Sequence, residues 1–119
     1  MSDPRISVVE DEYDICGLLR RTFQHEALQS DFYHTASQFL ADYDPKLPGC
    51  LILDVRLPDM NGIEVAIRIR AFLPACKILL FSGQAATADL LENARARGHE
   101  FEILAKPVHP SDLLAKLKG

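Results

Sequence analysis

The 119-residue chain has no run of Lys and Arg, no apolar stretch of membrane-spanning length and no Cys-x-x-Cys pair, and each absence removes a class of function. The formal net charge is −4, with no basic patch to offset it. General affinity for phosphate backbones or anionic lipid is therefore not expected, and direct nucleic-acid or membrane binding is set aside. The opening Met1-Ser2-Asp3-Pro4-Arg5 lacks the basic and then apolar layout of a signal peptide, so a cytoplasmic location is the default expectation. Cys16, Cys50 and Cys76 are odd in number, far apart and set among apolar neighbours; they read as small core residues rather than a disulfide framework. His25, His34, His99 and His109 are scattered, with no helical pairing and no Cys nearby, which argues against a histidine metal site. There is also no Walker-type phosphate loop, no Gly-x-Ser-x-Gly elbow and no Cys–His candidate pair.

What is present is a balanced globule. Hydrophobic residues at 48% against 25% charged ones support one domain with a real core over residues 1–119, without repeat, linker or low-complexity tract. Ile6–Val9 is a short run rich in β-branched residues, followed by Ile15, Leu18, Leu19, Thr22 and Phe23 at helical spacing. Residues 30–34 alternate weakly as a second strand, and a short helix carrying Ala36, Phe39 and Leu40 starts near Thr35. Asp44-Pro45 and Pro48-Gly49 mark a loop. Cys50-Leu51-Ile52-Leu53 then reads as a central strand buried on both faces and ending at Asp54.

Asn61-Gly62 breaks the following loop, and Ile63, Ala66, Ile67 and Ala71 give a helix stripe that stops before Pro74. A fourth strand spans residues 77–81, a helix spans about 85–97 with Gly98 as its C-terminal cap, and a fifth strand spans 101–105. The last helix is expected to start at Ser111 or Asp112 and to carry Leu113, Leu114 and Leu117. Five strand–helix units in succession predict an α/β, doubly wound, five-stranded parallel sheet of order 2-1-3-4-5.

In such a sheet ligands sit outside the carboxyl ends of the strands, at the switch point between strands one and three. Glu10 and Asp11, Asp54, Ser82 and Lys106 each fall just past an apolar run and so meet at that edge. Crowded carboxylates repel one another unless a cation or shared protons offset the charge, and hard oxygen ligands suit Mg²⁺, which commonly binds beside phosphate. Lys106 supplies a point charge and Ser82 a hydroxyl for phosphate oxygens, while Asp54 is placed as a carboxylate nucleophile able to form an acyl phosphate. Each residue alone has an ordinary structural explanation: a solvated turn, a helix cap for Ser82, a surface charge for Lys106. Their conjunction at successive strand ends does not.

Val8-Val9-Glu10-Asp11-Glu12, residues 53–62 (Leu-Asp-Val-Arg-Leu-Pro-Asp-Met-Asn-Gly), Phe81-Ser82-Gly83 and Ala105-Lys106-Pro107 resemble the receiver domain of two-component response regulators, over essentially the whole chain. The resemblance implies a flavodoxin-like (βα)5 fold in which Asp54 accepts a phosphoryl group from a sensor histidine kinase or histidine phosphotransfer protein. It further implies that Glu10, Asp11, Asp54 and the backbone carbonyl of Arg56 organise Mg²⁺. Ser82 and Lys106 would hold the phosphate and link it to a switching face made by the fourth helix, fifth strand and fifth helix, which meets a downstream protein. A cis bond before Pro107 belongs to the same pattern. Three positions depart from it: Glu10 stands where Asp is commoner, Ile103 occupies the place of the usual switch aromatic, and the segment from Ser82 to Lys106 is slightly long.

Two alternatives bear weighing. A pseudo-receiver would keep the fold as a binding scaffold without accepting phosphate. An aspartate-nucleophile phosphatase of the haloacid dehalogenase type usually has a second acid two residues after the nucleophile, where this chain has Arg56, and no substrate cap fits this length. A signalling phosphoacceptor rather than an enzyme is therefore the expectation. If the chain is complete, its output is protein contact.

Overall fold

Apolar runs too short for helices and interrupted at regular intervals give parallel strands when helices cover both faces. The computed structural model, described over residues 5–43, 48–83 and 87–118, has that arrangement. In chain order the elements are β1 (Arg5–Val9), α1 (Tyr13–His25), β2 (Ser30–Tyr33), α2 (Ala36–Asp42), β3 (Pro48–Asp54), α3 (Gly62–Phe72), β4 (Lys77–Ser82), α4 (Thr87–Ala96), β5 (Glu102–Ala105) and α5 (Pro110–Lys118). The strands form one parallel sheet in the order β2-β1-β3-β4-β5, as the sequence predicts.

Alternation along the strands divides the core. Val9, Leu51, Leu53, Ile78 and Leu80 face one layer with Phe39 of α2, Ile63, Val65, Ala66 and Ile69 of α3 and Ala94 of α4. Ile6, Val8, Cys50, Ile52, Leu79 and Phe81 face the other, with Leu19 and Phe23 of α1 and Leu113 of α5. Successive side chains of a strand point to opposite faces, so the central run can be apolar throughout. All three cysteines are buried, and burial pushes the Cys50 thiol up to about 12, consistent with inert packing.

Several boundaries differ from the sequence reading. Pro48 and Gly49 belong to β3 rather than to the loop; proline lacks an N–H but is tolerated as the first residue of a strand, and the β1–β3 register shifts there. The expected loop residues at 44–47 and the expected start of the fourth helix at about 85–86 lie outside the described residues. In α3 the buried positions include Val65 and Ile69, whereas Ala71 is exposed. The fifth strand begins at Glu102. The last helix begins at Pro110, because proline at the first helical position loses only an N–H that has no partner within the helix.

Two helix ends show the same stop built from different residues. After α4, Gly98 has φ +89°, its N–H donates to the Arg95 carbonyl at 2.9 Å, and His99 N–H donates to Ala94 at 2.9 Å. After α1, Ala27 N–H donates to Gln24 at 3.1 Å and Leu28 N–H to Phe23 at 2.8 Å, with Ala27 at φ 56°. Left-handed backbone is unfavourable for a residue with a Cβ. Ala27→Gly is therefore expected to raise stability by about 1 kcal/mol, read as a higher urea midpoint. An unchanged or lower midpoint would contradict strain at this stop.

Candidate functional site

The site lies at the carboxyl edge of the sheet, where β1 and β3 are neighbours but their following helices pack on opposite faces. Glu10 follows β1 and is wholly buried. Its Oε1 accepts from the Glu12 N–H at 3.2 Å, and its Oε2 makes no hydrogen bond, although the Lys106 ammonium lies 3.3 Å away. Asp54 ends β3, is 7% exposed, and accepts from the Arg56 N–H through Oδ1 at 3.1 Å. Lys106 follows β5 with a cis bond to Pro107. Its Nζ donates to Asp54 Oδ2 at 2.8 Å and to Glu12 Oε1 at 3.0 Å.

These contacts set the electrostatics. Burial, then the Asp54 charge, push the Glu10 carboxyl from its ordinary 4.5 up to about 7, against a lowering influence from Lys106. A carboxyl raised in the folded state favours folding while protonated. Its contribution is full below about 4.5 and is lost as pH rises through about 7. Burial on its own would lower the Lys106 ammonium, but hydrogen bonds to Asp54 and Glu12 and the charges of Glu10 and Asp54 outweigh it and raise it.

Oxygen atoms of Glu10, Glu12 and Asp54 lie within 4.8 Å of one another. An all-oxygen, anionic donor set that includes a buried carboxylate oxygen without a hydrogen bond suits a hard divalent cation such as Mg²⁺. The cluster takes in Glu12, which the sequence reading did not single out, while Asp11 is exposed and outside the group. The longer Glu12 chain reaches Lys106 from the N-terminal cap of α1. Ser82 is the last residue of β4, paired in register with Ala105, and its carbonyl accepts from the Lys106 N–H at 3.0 Å. Arg56 is exposed, and its backbone forms an isolated bridge with Asn61.

Three supporting features had no clear signal in the sequence. Asp59 ties the loop after β3 to the start of α2, accepting from Ala36 N–H at 3.0 Å and Ser37 N–H at 2.8 Å. Cys16 and His34, read as unrelated, come together with Sγ and Nδ1 4.0 Å apart. The pairing of β1 with β2 closes the 18-residue gap. Burial, then the Glu10 charge, push the Cys16 thiol up to about 11, so the pair is not an activated nucleophile. Gly62, noted only as a loop breaker, carries a steric requirement: a Cβ there would lie 2.0 Å from the Asp54 carbonyl oxygen.

The family model described as response regulator receiver domain matches residues 6–118. The transcriptional regulatory protein TcrA of Mycobacterium tuberculosis is 30% identical over 119 residues, covering 100% of this chain and 46% of that protein. A CheY-like response regulator receiver domain protein from Methanospirillum hungatei superposes with a TM-score of 0.85 at 26% identity, over 98% of this chain and 92% of that one. The BeF3-activated DrrB receiver domain, from a Thermotoga maritima regulator, gives 0.83 at 26% identity, over 99% and 96%. The chain belongs to the response regulator receiver domain family, a family of signalling domains. It spans about half the length of the curated relatives it matches. Among the described residues no helix is long and apolar enough to cross a membrane.

The Gly62 contact predicts a strong effect from a single added methyl group. Gly62→Ala must displace the Asp54 backbone or the start of α3, at a cost of about 3 kcal/mol for overpacking. Urea unfolding checks this; a variant as stable as the parent would contradict the close approach.

Proposed function

We propose that this domain is a phosphorylation-controlled signalling module in which Asp54 accepts a phosphoryl group from a sensor histidine kinase or histidine phosphotransfer protein. The observation that carries the reading is the direct contact between the buried Asp54 carboxylate and Lys106, at 2.8 Å, inside the acidic cluster. Asp54 presents a carboxylate oxygen at the edge of the sheet. As that oxygen bonds to phosphorus, the bond from phosphorus to the donor's imidazole nitrogen breaks, and the nitrogen keeps the electron pair.

Protein groups in such a transfer mainly position and neutralise. Lys106 is within reach of both the acceptor and the transferred phosphoryl oxygens, and Ser82, on the adjacent strand end, offers a hydroxyl to another. Glu10, Asp54 and the Arg56 carbonyl, with Asp11 or Glu12, would hold Mg²⁺, which offsets negative charge on donor and acceptor when bound. Asp54 and Lys106 then cannot keep the present contact unchanged, because the ammonium must share itself with the phosphate.

That redistribution is the basis for a switch at the face made by α4, β5 and α5, which would meet a downstream protein partner rather than nucleic acid or membrane. Ser82 and Lys106 stand at the two ends of the segment that holds α4 and β5, so a phosphate contacting both biases its position. Ile103, half-buried on β5, replaces the ring that the family commonly uses there. Phe101 is tied down by packing on the core and by the Arg70 guanidinium 4.2 Å above its ring, which favours a packing role. The reading is of a phosphoacceptor in the cytoplasm, with its own phosphotransfer and dephosphorylation as the only chemistry.

Incubation with a small acyl-phosphate donor and Mg²⁺, followed by intact mass measurement, tests the proposal. The parent should gain one phosphoryl group, and Asp54→Asn, nearly the same shape without the nucleophilic oxygen, should gain none. Equal labelling of the variant would remove Asp54 as acceptor. An unlabelled parent would favour the pseudo-receiver alternative.

A further inference from the structure

Glu10 is fixed through its peptide groups as well as by burial. Its N–H donates to the Tyr33 carbonyl at 2.9 Å, which continues the β1–β2 pairing one residue past the strands. Its own carbonyl meets side chains from two other parts of the fold: His34 Nδ1 at 3.1 Å and Cys16 Sγ at 3.4 Å. A carbonyl oxygen only accepts, so a hydrogen bond across this contact requires the His34 proton on Nδ1. The imidazole is itself held. The Tyr13 ring lies against it with centroids 4.6 Å apart, and the His34 backbone N–H donates to Gln38 Oε1 at 3.2 Å.

We infer that His34 is a positioning residue for the acidic metal site, acting through the Glu10 carbonyl to hold the turn that presents Glu10 and Glu12 to Asp54. The inference rests on the Mg²⁺ reading above and names a residue of this chain that would tune it. Past Val9 the turn has left β1, and beyond the Glu10 N–H bond to Tyr33 the Glu10 peptide is held by side-chain contacts. Without the imidazole the buried Glu10 carbonyl would keep, among the described residues, only a thiol donor, which is weak, and the peptide that orients the buried carboxylate could rotate. Groups that orient a ligand alter metal affinity without touching the metal.

The test is Mg²⁺ binding to the full chain by isothermal titration calorimetry, with a urea midpoint measured for each protein. His34→Phe keeps a ring against Tyr13 and removes the donor, whereas His34→Gln keeps a side-chain N–H. The Phe variant should bind Mg²⁺ about 10-fold more weakly, and the Gln variant should recover most of the parent's affinity. Phe and parent affinities that coincide would overturn the inference while leaving the Mg²⁺ reading standing. Weakened binding by the Gln variant would also overturn it, whatever the Phe variant does, because a donor would then not be the requirement. A parent that takes up no Mg²⁺ would overturn the Mg²⁺ reading and this inference together.

Discussion

Lys106 Nζ lies 2.8 Å from Asp54 Oδ2, 3.0 Å from Glu12 Oε1 and 3.3 Å from Glu10 Oε2, so one ammonium faces three carboxylates. Two of those carboxylates are buried, where an uncompensated charge is costly and a paired one is tolerated. The order β2-β1-β3-β4-β5 sets the ends of β1, β3 and β5 along one edge of the sheet, and the Lys106 side chain crosses that edge to reach Asp54. The same arrangement leaves the site short of positive charge, one lysine against three acids among the described residues, a shortfall that a divalent cation would offset together with the charge of an incoming phosphate.

Nearly all of the architecture was legible in the sequence because its signals are local. Continuous apolar runs such as Leu51–Leu53 need cover on both faces, and a succession of strand–helix units leaves few topologies. The observed order β2-β1-β3-β4-β5 follows from that logic. The positions of Glu10, Asp54, Ser82 and Lys106 at strand ends were legible for the same reason: each is a polar residue at the edge of an apolar run.

What was not legible depends on reach and on contacts across the sheet. Glu12 and Asp11 are neighbours in a turn, and nothing in their order says which carboxylate bends toward Lys106. Gly62 is a turn residue by composition, yet its requirement comes from the Asp54 carbonyl, which a Cβ would strike. His34 comes beside the Glu10 carbonyl because β1 and β2 pair in a particular register, and Cys16 meets it there from α1. Proline positions misled in a related way. Pro48 and Pro110 open β3 and α5, the places where a missing N–H costs least.

Lys106 compensates buried negative charge, above all that of Glu10 and Asp54. A double-mutant cycle with Lys106→Met, Glu10→Gln and the pair, unfolded by urea at pH 8 without divalent metal, measures this directly. Lys106→Met alone leaves the carboxylates uncompensated and should be markedly destabilising. Adding Glu10→Gln should recover part of that loss, with a coupling on the order of 1–3 kcal/mol. Additive effects of the two substitutions would show that Lys106 does not compensate the Glu10 charge.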